Sequence, residues 1–163
     1  MKVRELMTKQ PKFCGPGANL AEAAAVMWRN DCGALPVVDD GNQLKGIITD
    51  RDICIALGTR HQPPENITVN DVATHEVFTC SPDDDVHVPM GLMRRVKVRR
   101  LPVVDGEGKL EGVLALNDLV LAAERKHGEI DYEEVMSTIK AVSEHRGHKA
   151  QPETAPFPSA AVA

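Results

Sequence analysis

The chain has 163 residues, a formal net charge of -5, and 42% hydrophobic but only 3% aromatic residues. That length allows one ordinary domain or two small ones, with a core of aliphatic side chains and alanine and few rings on which a base could stack. The acidic balance supplies no general field for DNA or an anionic membrane, so nucleic-acid and membrane partners are not expected, although a local basic patch can still hold one phosphate group.

Met1 to Leu6 lacks the apolar core of a signal peptide, and no stretch approaches a membrane-spanning length. A cytoplasmic protein is expected. Lys12-Phe13-Cys14 reads as a short strand before the breaker Gly15-Pro16-Gly17. Asn19-Leu20-Ala21-Glu22 has the form of a capping box. Leu20, Ala23, Ala24, Met27 and Trp28 then recur at helical spacing and predict one apolar face on the core. Asp31-Cys32-Gly33 ends that helix. Two strands follow, joined across Asp39-Asp40-Gly41-Asn42, and a second helix is predicted from Asp50 to Leu57. Gly58 to Asn66, with Pro63-Pro64 inside, reads as a linker.

The pattern then starts again. Leu35-Pro36-Val37-Val38-Asp39 returns as Leu101-Pro102-Val103-Val104-Asp105, and Gly46 returns as Gly112, both at an offset of 66 residues. The same offset pairs Thr8 with Thr74, Cys14 with Cys80, Pro16 with Pro82, Met27 with Met93, Asp52 with Asp118 and His61 with His127. A unit of this size is too small to bury much alone, so two copies packed against each other are expected to make the core. The predicted fold class is α/β (α+β), each unit running strand-helix-strand-strand-helix. The expected divisions are a first unit over 1–62, a second over 63–128, a helix over 129–146 and a disordered tail over 147–163.

In the second copy, Ser81-Pro82-Asp83-Asp84-Asp85 precedes a helix starting near Val86. Its carboxylates suit the positive end of that helix, a metal cluster being the alternative. Pro89 falls in the first turn, where proline is tolerated. Leu92, Met93 and Val96 continue the buried face, and Asn117 to about Lys126 is predicted as the closing helix. Asp131 to His145 follows as an amphipathic helix with Tyr132, Val135, Met136, Ile139 and Val142 on its apolar face. From Gly147 the chain is Pro, Ala and Ser without an apolar pattern, which reads as disorder.

Four cysteines, Cys14, Cys32, Cys54 and Cys80, show no CxxC spacing and are expected as small core residues. A redox-sensing disulfide between Cys14 and Cys80 is the alternative. His61 and His127 have no second ligand at i+4, so a surface or interface role is expected rather than metal binding, and His145 with His148 is a weak metal signal. No nucleophile-base-orienter set or Gly-rich phosphate loop is visible, so no enzyme is expected.

These blocks resemble a known family. Two copies of helix, Leu-Pro-Val-Val-Asp strand, Gly-x-x strand and helix, with Leu6-Met7-Thr8 in front, are similar to a tandem pair of cystathionine-β-synthase (CBS) domains over roughly residues 3 to 127. The string Cys32 to Pro36 with Ile48 to Asp52 is similar to small stress-response members that stand alone without an enzyme domain. The resemblance implies two units packed sheet to sheet about a pseudo-twofold axis, with two clefts between them. It implies an adenosine-containing ligand there (AMP, ADP, ATP, S-adenosylmethionine or a dinucleotide), no required cofactor, no metal, and a regulated protein partner. It also implies a homodimer, often a flat disc of four units.

The family motif Gly-x-x-(Thr/Ser)-x-x-Asp is complete in Gly46 to Asp52, which makes Asp52 the ribose ligand and Thr49 a ribose or phosphate ligand. A carboxylate accepting from both hydroxyls of a diol forms charge-assisted bonds, and the helix N-terminus beside it suits an anion. Arg51 either neutralises a phosphate or is solvated or paired with Asp50. Family position puts Phe13, Ala34 and Pro36 around adenine, with Thr79, Arg100 and Pro102 as their counterparts. The second copy departs from the pattern. Ala115 replaces the hydroxyl residue, Asp118 either binds ligand or caps its helix, and Arg99-Arg100 stand where the first copy has Gly33-Ala34. The two clefts are therefore expected to be unequal, the Thr49/Asp52 cleft serving as the nucleoside site and Arg99 or Arg100 supplying positive charge. A constitutive dimerisation scaffold with empty clefts is the competing function.

Overall fold

The computed structural model describes residues 1–124 and 129–144. The segment expected to be a disordered tail, with His127, His145 and His148, lies outside the described residues. The chain begins with α1 (Val3–Leu6) and β1 (Thr8–Lys9). The first repeat continues with α2 (Leu20–Arg29), β2 (Ala34–Val38), β3 (Leu44–Thr49) and α3 (Asp50–Arg60). The second supplies α4 (His87–Val96), β4 (Arg100–Val104), β5 (Leu110–Ala115) and α5 (Leu116–Ala122), and α6 (Tyr132–Ser143) follows. No helix among the described residues is long and apolar enough to cross a membrane.

The expected capping box opens α2: the Glu22 N–H donates to Asn19 Oδ1 at 2.9 Å and the Asn19 N–H to Glu22 Oε2 at 3.0 Å. Leu20, Ala23 and Met27 are buried beneath it. Ala24 and Trp28, expected on the same face, are exposed, Trp28 to 88%. Each follows a buried residue by one position, a rotation of roughly 100° about the helix, which carries it off the core.

Lys12-Phe13-Cys14 does not form a strand. Only Cys14 bridges β2: its N–H donates to Pro36 O at 3.1 Å and its carbonyl accepts from Val38 N–H at 3.0 Å. That bridge explains how a proline sits inside β2. The Pro36 nitrogen lies on the edge facing Cys14 rather than β3, so its missing N–H removes no bond from the β2–β3 ladder. The hairpin turns are Asx-type: Asp39 Oδ1 accepts from the N–H groups of Gly41 and Gln43, both at 2.9 Å. The Lys45 ammonium bonded to Asp39 and these N–H groups hold its carboxyl below the usual range, as the Lys109 and Glu107 N–H groups do for Asp105.

Three boundaries differ from the sequence reading. The α3 helix continues to Arg60 and is stopped by His61 in the left-handed conformation (φ 51°), and Pro64–Asn66 forms a 3-10 turn inside the expected linker. The α5 helix ends at Ala122 rather than near Lys126. Ala123 is extended there, and the Glu124 N–H donates to Ile130 O at 3.0 Å, handing the chain to α6. In α6 the buried residues are Val135, Thr138 and Val142, with Tyr132 and Met136 half exposed. Thr138 is accommodated because its hydroxyl donates to Glu134 O at 2.9 Å.

The two repeats exchange their leading segments. β1 pairs with β5, not with a strand of its own repeat (Thr8 opposite Val113, Lys9 opposite Gly112). Sixty-six residues on, Thr74 pairs with Ile47 through bonds of 2.9 and 3.0 Å. Likewise the Val3 N–H donates to Asp84 O at 3.0 Å, and the Val69 N–H to Ala18 O at 2.8 Å. Pairs that recur with their roles swapped mark an approximate twofold axis. The hairpin turns meet on it: the Leu110 N–H donates to Asn42 O at 3.0 Å and the Leu44 N–H to Gly108 O at 3.2 Å. The core is correspondingly shared. Val3 belongs to the cluster of the second repeat with Met90, Leu101 and Leu114, while Ile67 and Val69 complete that of the first with Leu20, Leu35 and Ile48.

Cys14 and Cys80 lie in these separate clusters, and both are free thiols, so no disulfide joins them. Contrary to the expectation of four core cysteines, Cys32 is only partly buried and Cys54 is exposed. Burial pushes the Cys14 thiol up to about 11, and burial with the Asp84 charge pushes Cys80 up to about 12. Alkylation of the native protein at pH 8 should therefore modify Cys54 first and leave Cys14 and Cys80 intact until urea unfolds the chain, as peptide mass mapping would show; early loss of either contradicts this packing. Folding favours the neutral thiol at both sites. Their stabilisation is thus complete below the ordinary thiol range and is lost as the pH rises from there through about 11 to 12.

Candidate functional site

The first site is made where β2 starts and β3 runs into α3. Ala34 lies directly opposite Thr49 in the strand register, and Thr49 is the N-cap of α3. A threonine at N-cap with an acid three residues on is itself a capping box, and both arms form. The Asp52 N–H donates to Thr49 Oγ1 at 3.2 Å, and Asp52 Oδ2 accepts from the Thr49 N–H at 2.9 Å and its hydroxyl at 2.7 Å. Thr49, Asp52 and Ala34 are all half-buried. The carboxylate is therefore half-buried, with one oxygen committed to the helix. Arg51 is exposed and its guanidinium holds no ion pair among the described residues. Asp50 instead accepts from the Arg51 N–H at 2.7 Å, so the Asp50–Arg51 side-chain pair is not formed.

The second site repeats the frame with different chemistry. Arg100 opens β4 opposite Ala115, and Asp118 Oδ2 accepts from the Ala115 N–H at 2.8 Å. Without a hydroxyl at 115, only this arm of the box exists. Arg99 gives its carbonyl to the Leu116 N–H at 2.9 Å. The side chains of Arg99 and Arg100 are exposed and hold no ion pair among the described residues.

The remaining expected residues are divided. Pro36 and Pro102 are buried, and their carbonyls accept from the Cys14 and Cys80 N–H groups at 3.1 and 3.2 Å. Thr79 is half-buried, whereas Phe13 is 54% exposed. Phe13 lines a cavity of about 600 Å³ between the repeats with Lys12, Val26, Asn30, Asn42 and Leu110, and neither Thr49 nor Asp52 lines that cavity. Asn42 and Leu110 were not singled out from sequence. The signal for them is their place at the meeting hairpin turns, where the Asn42 side chain donates to Leu110 O at 3.0 Å.

Of the acidic run before α4, only Asp85 bonds the helix start, while Asp84 closes the turn ahead of it and Asp83 turns to α1. Asp84 accepts from the Ser81 N–H at 2.8 Å, Asp85 accepts from the His87 N–H at 3.1 Å, and Asp83 pairs with Arg4. Among the described residues no cluster of three or more His, Cys, Asp or Glu is placed to hold a metal ion.

A twofold-related pair of α+β units with exchanged leading segments and a capped Thr-x-x-Asp at the first helix start defines a tandem CBS module. The chain belongs to the CBS domain family, whose model matches residues 3–59 and again 69–125. It is 38% identical over 120 residues to the CBS domain-containing protein YhcV of Bacillus subtilis, covering 73% of this chain and 83% of that one. Among solved structures, it is similar to the CBS domain pair of protein MJ0100 in complex with 5′-methylthioadenosine and S-adenosyl-L-methionine (TM-score 0.68, 26% identity, 74% of this chain and 94% of that chain). It is also similar to CBSX2 in complex with AMP (TM-score 0.66, 26% identity, 74% and 94%).

Proposed function

We propose that this chain is a non-catalytic regulatory module, acting in the cytoplasm as a homodimer. It binds an adenosine-containing ligand between its repeats and passes the resulting change of shape to a protein partner. The half-buried Asp52 at the start of α3 carries the reading. Its Oδ2 holds the cap, which leaves Oδ1 to accept from a ribose hydroxyl, and the small Ala34 opposite Thr49 leaves room for a ring. Neighbours of the same fold in complex with AMP and with S-adenosyl-L-methionine support that ligand class. The unpaired Arg99 and Arg100 suit a phosphate in the second site, where no hydroxyl stands beside Asp118. Ligand signals only insofar as it binds two arrangements of the repeats with different affinity.

Isothermal titration of AMP and S-adenosylmethionine tests this. Asn keeps an acceptor oxygen for the cap but removes the charge. Asp52→Asn should therefore weaken binding by roughly ten- to a hundredfold, the worth of a charged hydrogen bond, and Asp118→Asn should weaken it less. Equal losses would sink the asymmetry. One observation favours a second reading: the cap already employs both Thr49 and Asp52, so the motif has a structural reason to exist without ligand. On that reading the chain is a ligand-free dimerisation scaffold or a stress-response protein of that kind. A native-state ligand must raise the melting temperature, so no shift with millimolar AMP, ADP, ATP or S-adenosylmethionine would select the scaffold.

A further inference from the structure

The cavity of about 600 Å³ onto which Phe13 opens contains neither Asp52 nor Asp118 nor Arg100. Both repeats build it. The segment after β1, the end of α2 and the first hairpin turn come from one, and Leu110 and Glu111 of β5 from the other. Its volume is in the range of small-molecule sites. Two of its side chains are charged, and they are opposite in sign. Lys12 and Glu111 are both exposed, and neither forms an ion pair or a side-chain hydrogen bond among the described residues, with each other or with any other group. The repeat shows what that costs Glu111. Sixty-six residues earlier stands Lys45, whose ammonium is 3.0 Å from Asp39. A glutamate cannot form that bond with Asp105, so its charge has no structural partner.

Two amides add to these charges. Asn30 closes the end of α2 by donating from Nδ2 to Val26 O at 2.7 Å, and Asn42 joins the hairpin turns by donating from Nδ2 to Leu110 O at 3.0 Å. Each amide oxygen is left without a donor. Two acceptor oxygens, a carboxylate and the negative end of the α2 dipole together favour a ligand ammonium. Lys12 favours a carboxylate. Phe13, Val26 and Leu110 offer apolar surface beside them. An adenosine phosphate would bring its anion against Glu111, so the cavity does not duplicate the nucleotide sites. The twin positions carry none of this chemistry: Lys12, Asn30, Asn42 and Glu111 correspond to Phe78, Val96, Gly108 and Lys45.

We propose that this cavity is a separate binding site for an amino-acid zwitterion with an apolar side chain, either free or within a dipeptide. Lys12 meets its carboxylate, Glu111 and the Asn30 and Asn42 oxygens meet its ammonium, and the apolar wall meets its side chain. The site stands independently of the nucleotide reading above.

Isothermal titration of the full chain with L-leucine and with leucyl-leucine tests the site and decides which length it takes. Leucinamide lacks the carboxylate and N-acetyl-leucine lacks the ammonium. Each should bind roughly tenfold or more weakly than leucine, the worth of a charged hydrogen bond. Lys12→Gln should abolish the preference for leucine over leucinamide, and Glu111→Gln the preference over N-acetyl-leucine. Circular dichroism should stay unchanged in both, since these side chains are exposed and bond to nothing. A general disturbance of the fold would not produce that crossed loss of discrimination. Asp52→Asn should leave leucine binding intact. If neither leucine nor leucyl-leucine at millimolar concentration gives heat or raises the melting temperature, the proposal fails while nucleotide binding is untouched. Binding that both glutamine variants leave unchanged overturns this cavity as the site. Loss of leucine binding in Asp52→Asn overturns its separateness from the nucleotide site.

Discussion

Leu35→Ala is expected to lower the stability of the whole chain by about 2–5 kcal/mol, the range for removing a fully buried leucine side chain, and to do so within one cooperative transition. Leu35 is 0% exposed in β2, and its neighbours in the core include Ile67 and Val69, which belong by sequence to the second repeat. Leu101 holds the twin position in β4 with Val3 in its cluster. Each core thus contains residues from the other repeat, and neither half loses a leucine in isolation. Urea unfolding followed by far-UV circular dichroism should show a single midpoint for the native chain, moved to lower urea by Leu35→Ala and by Leu101→Ala alike. Two separate midpoints, only one of them moving, would contradict a shared core.

Gly112→Val is expected to destabilise by about 1–3 kcal/mol or more, the scale of forced overpacking, and to detach β1. A Cβ at position 112 would lie 2.9 Å from the Thr8 carbonyl oxygen and 2.6 Å from the Met7 sulfur. The methionine can turn aside, but the backbone oxygen is held by strand pairing. Gly46 faces the twin constraint, 2.9 Å from the Thr74 carbonyl oxygen. Hydrogen exchange should then show lost protection at Thr8 and Lys9 in Gly112→Val. Gly58 is the contrast: it stands in α3 with nothing within 4 Å of its Cβ position. Gly58→Ala should be neutral or stabilising by up to about 1 kcal/mol through helix propensity. Destabilisation at all three glycines would remove the steric explanation.

The duplicated blocks were legible because a strand pair and a helix start leave dense local signals. The 66-residue offset located β2, β3, β4 and β5, and the Asn19–Glu22 box located the start of α2. The exchange was not legible. β1 has two residues, too few for any periodicity, and nothing local says that Thr8 pairs with Val113 rather than inside its own repeat. Gly46 and Gly112 are where the sequence did carry a trace of it. They head the Gly-x-x-Thr-x-x-Asp stretch and its altered counterpart, yet each also lets a segment from the other repeat approach. Trp28 was placed inward because a 3–4 spacing cannot tell the two edges of an apolar stripe apart; only the position of β2 beneath α2 decides. The Thr49–Asp52 pair is ambiguous for a chemical reason. An acceptor carboxylate three residues after a hydroxyl at a helix start satisfies the cap and a ribose by the same geometry.

The swapped ends of the two repeats bear on how such a molecule can arise and be rebuilt. A gene encoding one repeat alone would yield a polypeptide whose leading segment has no home within itself, and two such polypeptides would satisfy each other by trading ends, as a true dimer. Joining them in one chain replaces a concentration-dependent encounter with a tethered one. Once tethered, the halves are free to diverge: one has a tryptophan where its sister has an arginine, and among the described residues only the sister carries an extra helix on its flank.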